Sequence, residues 1–491
     1  MTYRGSSEIS PKGLQVIREH SLHFIKHLMV KIGDESHEAV QILIQHIAMK
    51  VPERAEYRHG ATSAIITLMT GLPDGYYSIT ANWFFRLAHV EKSANRLFAL
   101  EVMGKLLAEN EREKPRERVH GDHDYGNSSR IIPEEKEVPD DQDDQPQQNE
   151  SPEPKETETD NESEDKDKED ERNVASSDSN FYSSHKFLFG VIFSRCKDSS
   201  ALVRAKALNT LADVTSKADE NPIIADVIYS LFDPNMQPSN SKKTVDFADL
   251  LQNPDADISK VNPLPKSDEF IDFLRKRALD DSVFVRKHAL QVLVNILRYY
   301  SSHQTQDLEE SALDLVSILS EHCRDPSVMV RKQIITSLTD LLRAYPDNDF
   351  IISKWVEGIF PLILDVEQKA AEKVLEAIWD VLFNNIVPYA QACRSRHFLP
   401  WKILNATEKM KMTSYLSRAC GQWAKDQMLK PSLFKSLKSH IDTENSNAAW
   451  LLMALVTGHV PLQDPQYVME YFNNSIHTPE GVGLYTLLQV N

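Results

Sequence analysis

The chain has 491 residues, 41% hydrophobic and 26% charged, with a formal net charge of −18. No apolar run reaches the roughly 18 residues a membrane span needs. Four cysteines (Cys196, Cys323, Cys393 and Cys420) form no CxxC pair and read as reduced thiols of an intracellular protein. The acidity is local: residues 133–172 hold 19 Asp and Glu against 5 Lys and Arg, a net of −14, which leaves the rest nearly neutral and able to carry basic faces.

Apolar residues recurring at helical spacing predict an all-α chain throughout. Residues 14–31, 35–50, 53–71, 75–88 and 92–108 read as five amphipathic helices, an N-terminal unit at 1–108. Residues 109–180 are an acidic linker; between 133 and 172 its single apolar residue is Val138, so it has no core to bury and is expected to be disordered. Ser151, followed by Pro152, and Ser163, among acids, are candidate phosphorylation sites there, and the linker's charge is expected to compete in cis for basic surfaces. Helices resume at 181–197, 199–217 and 221–232. A loop insertion at 233–265 carries five prolines and one short amphipathic piece, Asp246 to Leu251, expected to dock back on the helices. Further helices at 266–279, 283–300, 307–323, 327–344, 349–363 and 366–386 complete a unit at 181–386. A C-terminal unit, 387–491, is less regular, with helices near 406–427, 431–439, 445–458 and 464–472. Its last residues, from Gly483, begin an apolar helix and stop without a cap, so the chain is expected to be a fragment or truncated form of a longer array.

One motif repeats. Asp198, Asp280 and Asp325 are each followed five residues later by Val and six later by Arg: Arg204, Arg286 and Arg331. Each Arg opens the same apolar ladder at +3, +4, +7 and +10; after Arg331 it is Ile334, Ile335, Leu338 and Leu341. Weaker copies start at Arg58, Arg96 and Ala371, the last lacking the Arg. Once the stretches 109–180 and 233–265 are set aside, the steps return to about one repeat of ~40 residues each, the length of a stacked helix pair. The architecture expected is a HEAT-repeat α-solenoid interrupted by the acidic insertion. The Asp is expected to accept hydrogen bonds from the open N–H groups of the second helix, and the Arg to reach the Asp of an adjacent repeat. Both are scaffold residues.

No nucleotide-binding loop, catalytic constellation or metal-ligand spacing is present, so no enzyme activity, cofactor or metal is expected. The strongest binding signal is basic. Residues 394–438 hold ten Lys and Arg against Glu408 and Asp426. Arg394, Arg396, Lys402, Lys409, Lys411 and Arg418 are the candidates for contact with a phosphate backbone. Phe398, Trp401, Tyr415, Trp423 and Phe434 are interleaved and read as core rather than as base-stacking platforms. A second set, Arg275 to Arg277 with Arg286, Lys287, Arg331 and Lys332, is expected to form a stripe along one edge.

The Asp–Val–Arg–Lys turn with its ladder resembles HEAT repeats. The longer run from Asp325 through Leu342, with Trp355 to Pro361, Asp365, Glu372 to Leu375, Ala55 to Gly60 and Gly71 to Pro73, resembles the D-type HEAT subunit of the condensin II complex. That resemblance implies a non-catalytic regulatory subunit that binds the kleisin subunit and double-stranded DNA in chromatin. It would work with an SMC ATPase pair in mitotic chromosome condensation, in the nucleus and on chromosomes, with no membrane or small-molecule partner. It also implies that the family's C-terminal region lies outside this chain. Two other classes fit a helical array: a protein-binding scaffold, as in nuclear transport receptors or phosphatase scaffolds, and the helical flank of a larger enzyme.

Overall fold

The computed structural model describes residues 11–108, 184–232, 243–244, 247–252, 261–303, 310–461 and 465–475. The acidic linker, with Ser151 and Ser163, and the apolar C-terminal end both lie outside the described residues.

The described chain is an α-solenoid of HEAT-type helix pairs. The N-terminal helices are α1 (Pro11–Ile32), α2 (Asp34–Lys50), α3 (Ala55–Met69), α4 (Asp74–Leu87) and α5 (Ser93–Ala108). Then come α6 (His185–Arg195), α7 (Ala201–Thr215), α8 (Pro222–Phe232), the short α9 (Phe247–Gln252), α10 (Ser267–Ala278), α11 (Val283–His303), α12 (Glu310–Glu321), α13 (Val328–Ala344), α14 (Asp349–Ile359) and α15 (Gln368–Val381). The C-terminal helices are α16 (Ser395–Lys409), α17 (Thr413–Lys425), α18 (Pro431–Lys438), α19 (Ser446–Thr457) and α20 (Pro465–Ser475). None of the described helices is long and apolar enough to cross a membrane.

The second helices of successive pairs stack in order, α3 on α5, α5 on α7, α7 on α11, α11 on α13 and α13 on α15. Their ladder residues, among them Ala207, Leu208, Leu211, Ala289, Leu290, Leu293, Ile334, Ile335 and Leu338, are fully buried. Helices α5 and α7 meet although 92 residues separate their facing ends, and they meet closely: a side chain at Gly104 would run into Thr210. The loop between α8 and α10 docks back. Phe247 of α9 lies against Phe85 and Phe187, with ring centres 6.0 and 5.9 Å away. Two short strands, β1 (Lys243–Thr244) and β2 (Val261–Asn262), pair in parallel. The chain then passes over α6 at Gly190, where a Cβ would collide with the Pro263 carbonyl oxygen.

A ladder of ion pairs joins the turns. Arg96 reaches Asp198 (3.1 Å), Arg204 reaches Asp280 (3.0 Å), Arg286 reaches Asp325 (2.8 Å) and Arg331 reaches Asp365 (2.6 Å). In the last three, Nε and Nη2 grip both carboxylate oxygens, the two-pronged geometry that suits a guanidinium. The third nitrogen, Nη1, donates backward to the carbonyls of its own turn, as Arg286 does to Asp280 and Asp281. Each Arg therefore ties its own turn to the Asp of the next pair. The first rung spans the acidic insertion and the second the loop insertion.

The Asp does not cap the helix as the sequence suggests. Its Oδ1 accepts from the N–H two residues on (Ser200, Ser282, Ser327 and Glu367), each the residue just before the helix, so it closes an Asx turn that aims the chain into the helix. Burial works against the charged forms of Asp280, Asp325 and Asp365. The guanidinium and the turn N–H outweigh it and hold all three below the usual carboxylate range. Three members of the expected second basic stripe are already paired, Arg286 and Arg331 in the ladder and Arg277 with Asp280 at 2.7 Å.

Candidate nucleic-acid interface on the C-terminal helices

The basic region folds as three helices, not two. The spacing read as one helix at 406–427 breaks at Met410–Met412 into α16 and α17. Lys411 there adopts φ 57, and the Met412 N–H turns back to the Thr407 carbonyl at 2.9 Å. That is a left-handed helix end, usually made with glycine. Gln427 ends α17 the same way, with Met428 N–H on the Trp423 carbonyl. Helix α16 starts eleven residues before the expected boundary and runs through Pro400. Proline forfeits one backbone bond, but Leu399, Trp401, Ile403 and Leu404 are all buried around it and hold the helix in place.

The aromatic side chains sort as the packing requires. Trp401, Trp423 and Phe434 are buried, Tyr415 is half-buried, and Phe398 is 38% exposed. Trp423 packs edge-on to Trp379 and Phe383 at 5.4 and 4.8 Å, which fastens α17 to α15. Continuous stacking platforms do not form.

The six candidate cations divide into two exposed pairs and two single residues. Arg394 and Arg396 flank the start of α16, both exposed. Burial and then the positive charges of Arg396 and Arg394 hold His397 below its usual pKa. Lys409 and Lys411 stand at the α16–α17 turn, exposed and without an ion-pair partner among the described residues. Lys402 is half-buried and donates to Asp347 at 2.9 Å, so its charge is already answered. Arg418 is exposed and lines a groove that Glu372, Glu376 and Asp426 also line. The sequence brings six cations into one stretch; in the fold Lys402 is paired and Arg418 shares its groove with carboxylates, which leaves Arg394, Arg396, Lys409 and Lys411 as the exposed candidates. Lys438 stacks over the Tyr467 ring at 3.7 Å.

No family model matches the chain. Among curated proteins it is 28% identical over 492 residues to Condensin-2 complex subunit D3-L of Xenopus laevis, covering 94% of this chain and 28% of that protein. It is 28% identical over 476 residues to Condensin-2 complex subunit D3 of Mus musculus, covering 92% of this chain and 27% of that one. The chain thus spans little more than a quarter of the length of these relatives. Similar solved structures include an engineered protein (14% identity, 95% of this chain and 98% of that chain, TM-score 0.31). Another is the S. pombe condensin Cnd3–Cnd2 subcomplex (13% identity, 100% and 74%, TM-score 0.16). The resemblance read from the turn motif and its flanking runs holds: over nearly its whole length this chain is similar to the D-type subunit of condensin II.

Proposed function

We propose that this chain serves as a non-catalytic, HEAT-repeat subunit of a condensin II-type complex, supporting chromosome condensation in the nucleus. The observation that carries this is the 28% identity to a condensin II D3 subunit along 94% of the chain. On this reading the chain binds the kleisin subunit, and ATP hydrolysis belongs to the SMC pair. The exposed cations at the start of α16 and at the α16–α17 turn contact the phosphates of double-stranded DNA. Backbone contacts of this kind are sequence-independent and salt-sensitive, each phosphate neutralised adding about −0.9 to the slope of log affinity against log salt.

The test is a pull-down with the condensin II kleisin and a gel shift with duplex DNA, on the native chain and on a variant with Arg394, Arg396, Lys402, Lys409 and Lys411 reversed to Glu. Kleisin capture survives and DNA affinity falls. Absence of kleisin capture by the native chain rejects the assignment. Unchanged DNA affinity rejects this surface.

A further inference from the structure

The ladder stops at Asp365. Six residues on, where the three preceding turns place Arg204, Arg286 and Arg331, stands Ala371, so α15 sends no guanidinium forward. Beyond this point α17 no longer stacks on its predecessor in the manner of α11 on α7 or α13 on α11. It packs instead on α19 and on the 3-10 turn Phe360–Leu364 that ends α14. A groove of about 860 Å³ opens between that turn, α15 and α17, with Ala371 in its wall. The size falls within the range of about 300–1,000 Å³ typical of ligand sites.

The lining has two parts. Leu375, Trp379 and Met428 supply an apolar floor, and Leu364 at the mouth is 48% exposed. The rim is acidic: Glu372 and Glu376 on α15 and Asp426 just past α17, against Arg418 alone. Glu376 is paired with Lys373. Glu372 and Asp426 are bound by the side-chain amides of Gln368 and Gln422, and neither has a cation within ion-pair distance among the described residues.

We propose that this groove docks a peptide segment of a partner protein in which an Arg or Lys is flanked by bulky apolar side chains. The cation sits by Glu372 and Asp426, whose carboxylates have only amide partners, Gln368 and Gln422, among the described residues. The apolar side chains lie on Leu375, Trp379 and Met428. The carboxylate rim repels a phosphate backbone, which separates this site from the cations at the α16–α17 turn. The proposal stands on groove chemistry and does not depend on the condensin reading.

The experiment is fluorescence anisotropy on the full chain with a labelled twelve-residue peptide centred on Leu-Arg-Phe-Leu, and with the same peptide carrying Glu for Arg. The native chain prefers the Arg peptide by about 10-fold or more, the effect of two exposed charge contacts of up to about 1 kcal/mol each. In the double variant Glu372→Lys with Asp426→Lys the preference reverses; the gained Glu-peptide binding also shows that the variant is folded. A remote control, Glu53→Lys, leaves both affinities unchanged. Equal affinity for the two peptides, or no reversal in the double variant, overturns the proposal. So does tighter competition by a peptide of residues 126–137 of this chain, which carries Arg130-Ile131-Ile132, because the groove would then be self-filled. Displacement of the Arg peptide by duplex DNA overturns it as well.

Discussion

Asp325→Ala is the sharpest probe of the ladder, because this one carboxylate serves two turns. Its oxygens accept Arg286 Nε and Nη2 at 2.8 Å each, and Oδ1 also accepts the Ser327 N–H at 2.8 Å. The side chains of Arg286 and Asp325 are only 12% and 3% exposed. Removing one partner of a buried pair costs about 3–5 kcal/mol, since the other charge stays desolvated and unpaired, and the lost turn bond adds about 1 kcal/mol. The expected destabilisation is roughly 4–6 kcal/mol. In a solenoid, where each repeat packs on its neighbours only, a loss this local splits the urea transition seen by circular dichroism, the segment around α11–α13 melting first. Asp325→Asn keeps an oxygen for Ser327 and is expected to lose about half as much. The double variant Arg286→Leu with Asp325→Leu removes both charges and is less destabilised than the sum of the single changes. A shift below about 1 kcal/mol for Asp325→Ala, or strict additivity in the cycle, would refute a stabilising ladder.

Because Asp280, Asp325 and Asp365 titrate below their unfolded value of about 3.9, their contribution is present above that pH and is lost as pH falls through the folded values. Thermal melts should be flat from pH 7 to about 5 from these groups and fall steeply below about pH 4; a Tm unchanged at pH 3 contradicts this. Lys411→Gly relieves a left-handed, non-glycine helix end worth about 1 kcal/mol. It should raise the melting temperature while weakening DNA binding; a drop in stability would show that the lysine side chain is held by packing. Gly190→Ala forces the Pro263 crossing off α6 and should cost about 1–3 kcal/mol. Limited proteolysis of 233–266 detects the release, and unchanged cleavage rejects the docking. Deletion of 109–180 should leave the melting temperature unchanged and strengthen DNA binding at low salt, whereas unchanged affinity on a gel shift rejects competition in cis.

Much of the fold was legible because its repeat is chemical as well as periodic. Asp at one position and Arg six residues later are needed at every turn, so the motif recurs, and the ladder residues Ala289 to Leu293 follow from helical geometry. The docked α9 was legible from helical spacing: Phe247, Leu250 and Leu251 sit three and four apart in a loop rich in Pro, Asn and Asp. The C-terminal helices were read less well. Pro400 counts as a helix breaker in a sequence, and only the buried ring of Trp401, Ile403 and Leu404 overrules it. The break at Lys411 carries no glycine to announce it. The binding surface suffered from a different blindness. Charge counted along the chain cannot distinguish Lys409, facing solvent, from Lys402, answered by Asp347, or from Arg418, turned toward a cluster of carboxylates. Those distinctions depend on residues 42 to 55 positions away (Asp347 from Lys402, Glu376 from Arg418), which no local pattern encodes.

The ladder joins the turns of successive pairs along one margin of the stack. Four ion pairs in series, three of them forked and each Arg anchored to backbone carbonyls behind it, make that margin hard to stretch. The stacked helices elsewhere are held mainly by apolar contact, with scattered polar ties such as Asn295 to Ala212, and that contact yields more readily to sliding. A pull on the two ends of such a body does not lengthen it evenly: it bends about the stiff margin, as a laminated strip does. Past Asp365 the stiff seam ends, and α17 is joined to α15 by aromatic packing rather than by an ion pair of the ladder. A load arriving from the C-terminal helices therefore meets ring packing at that joint before it meets the charged seam upstream.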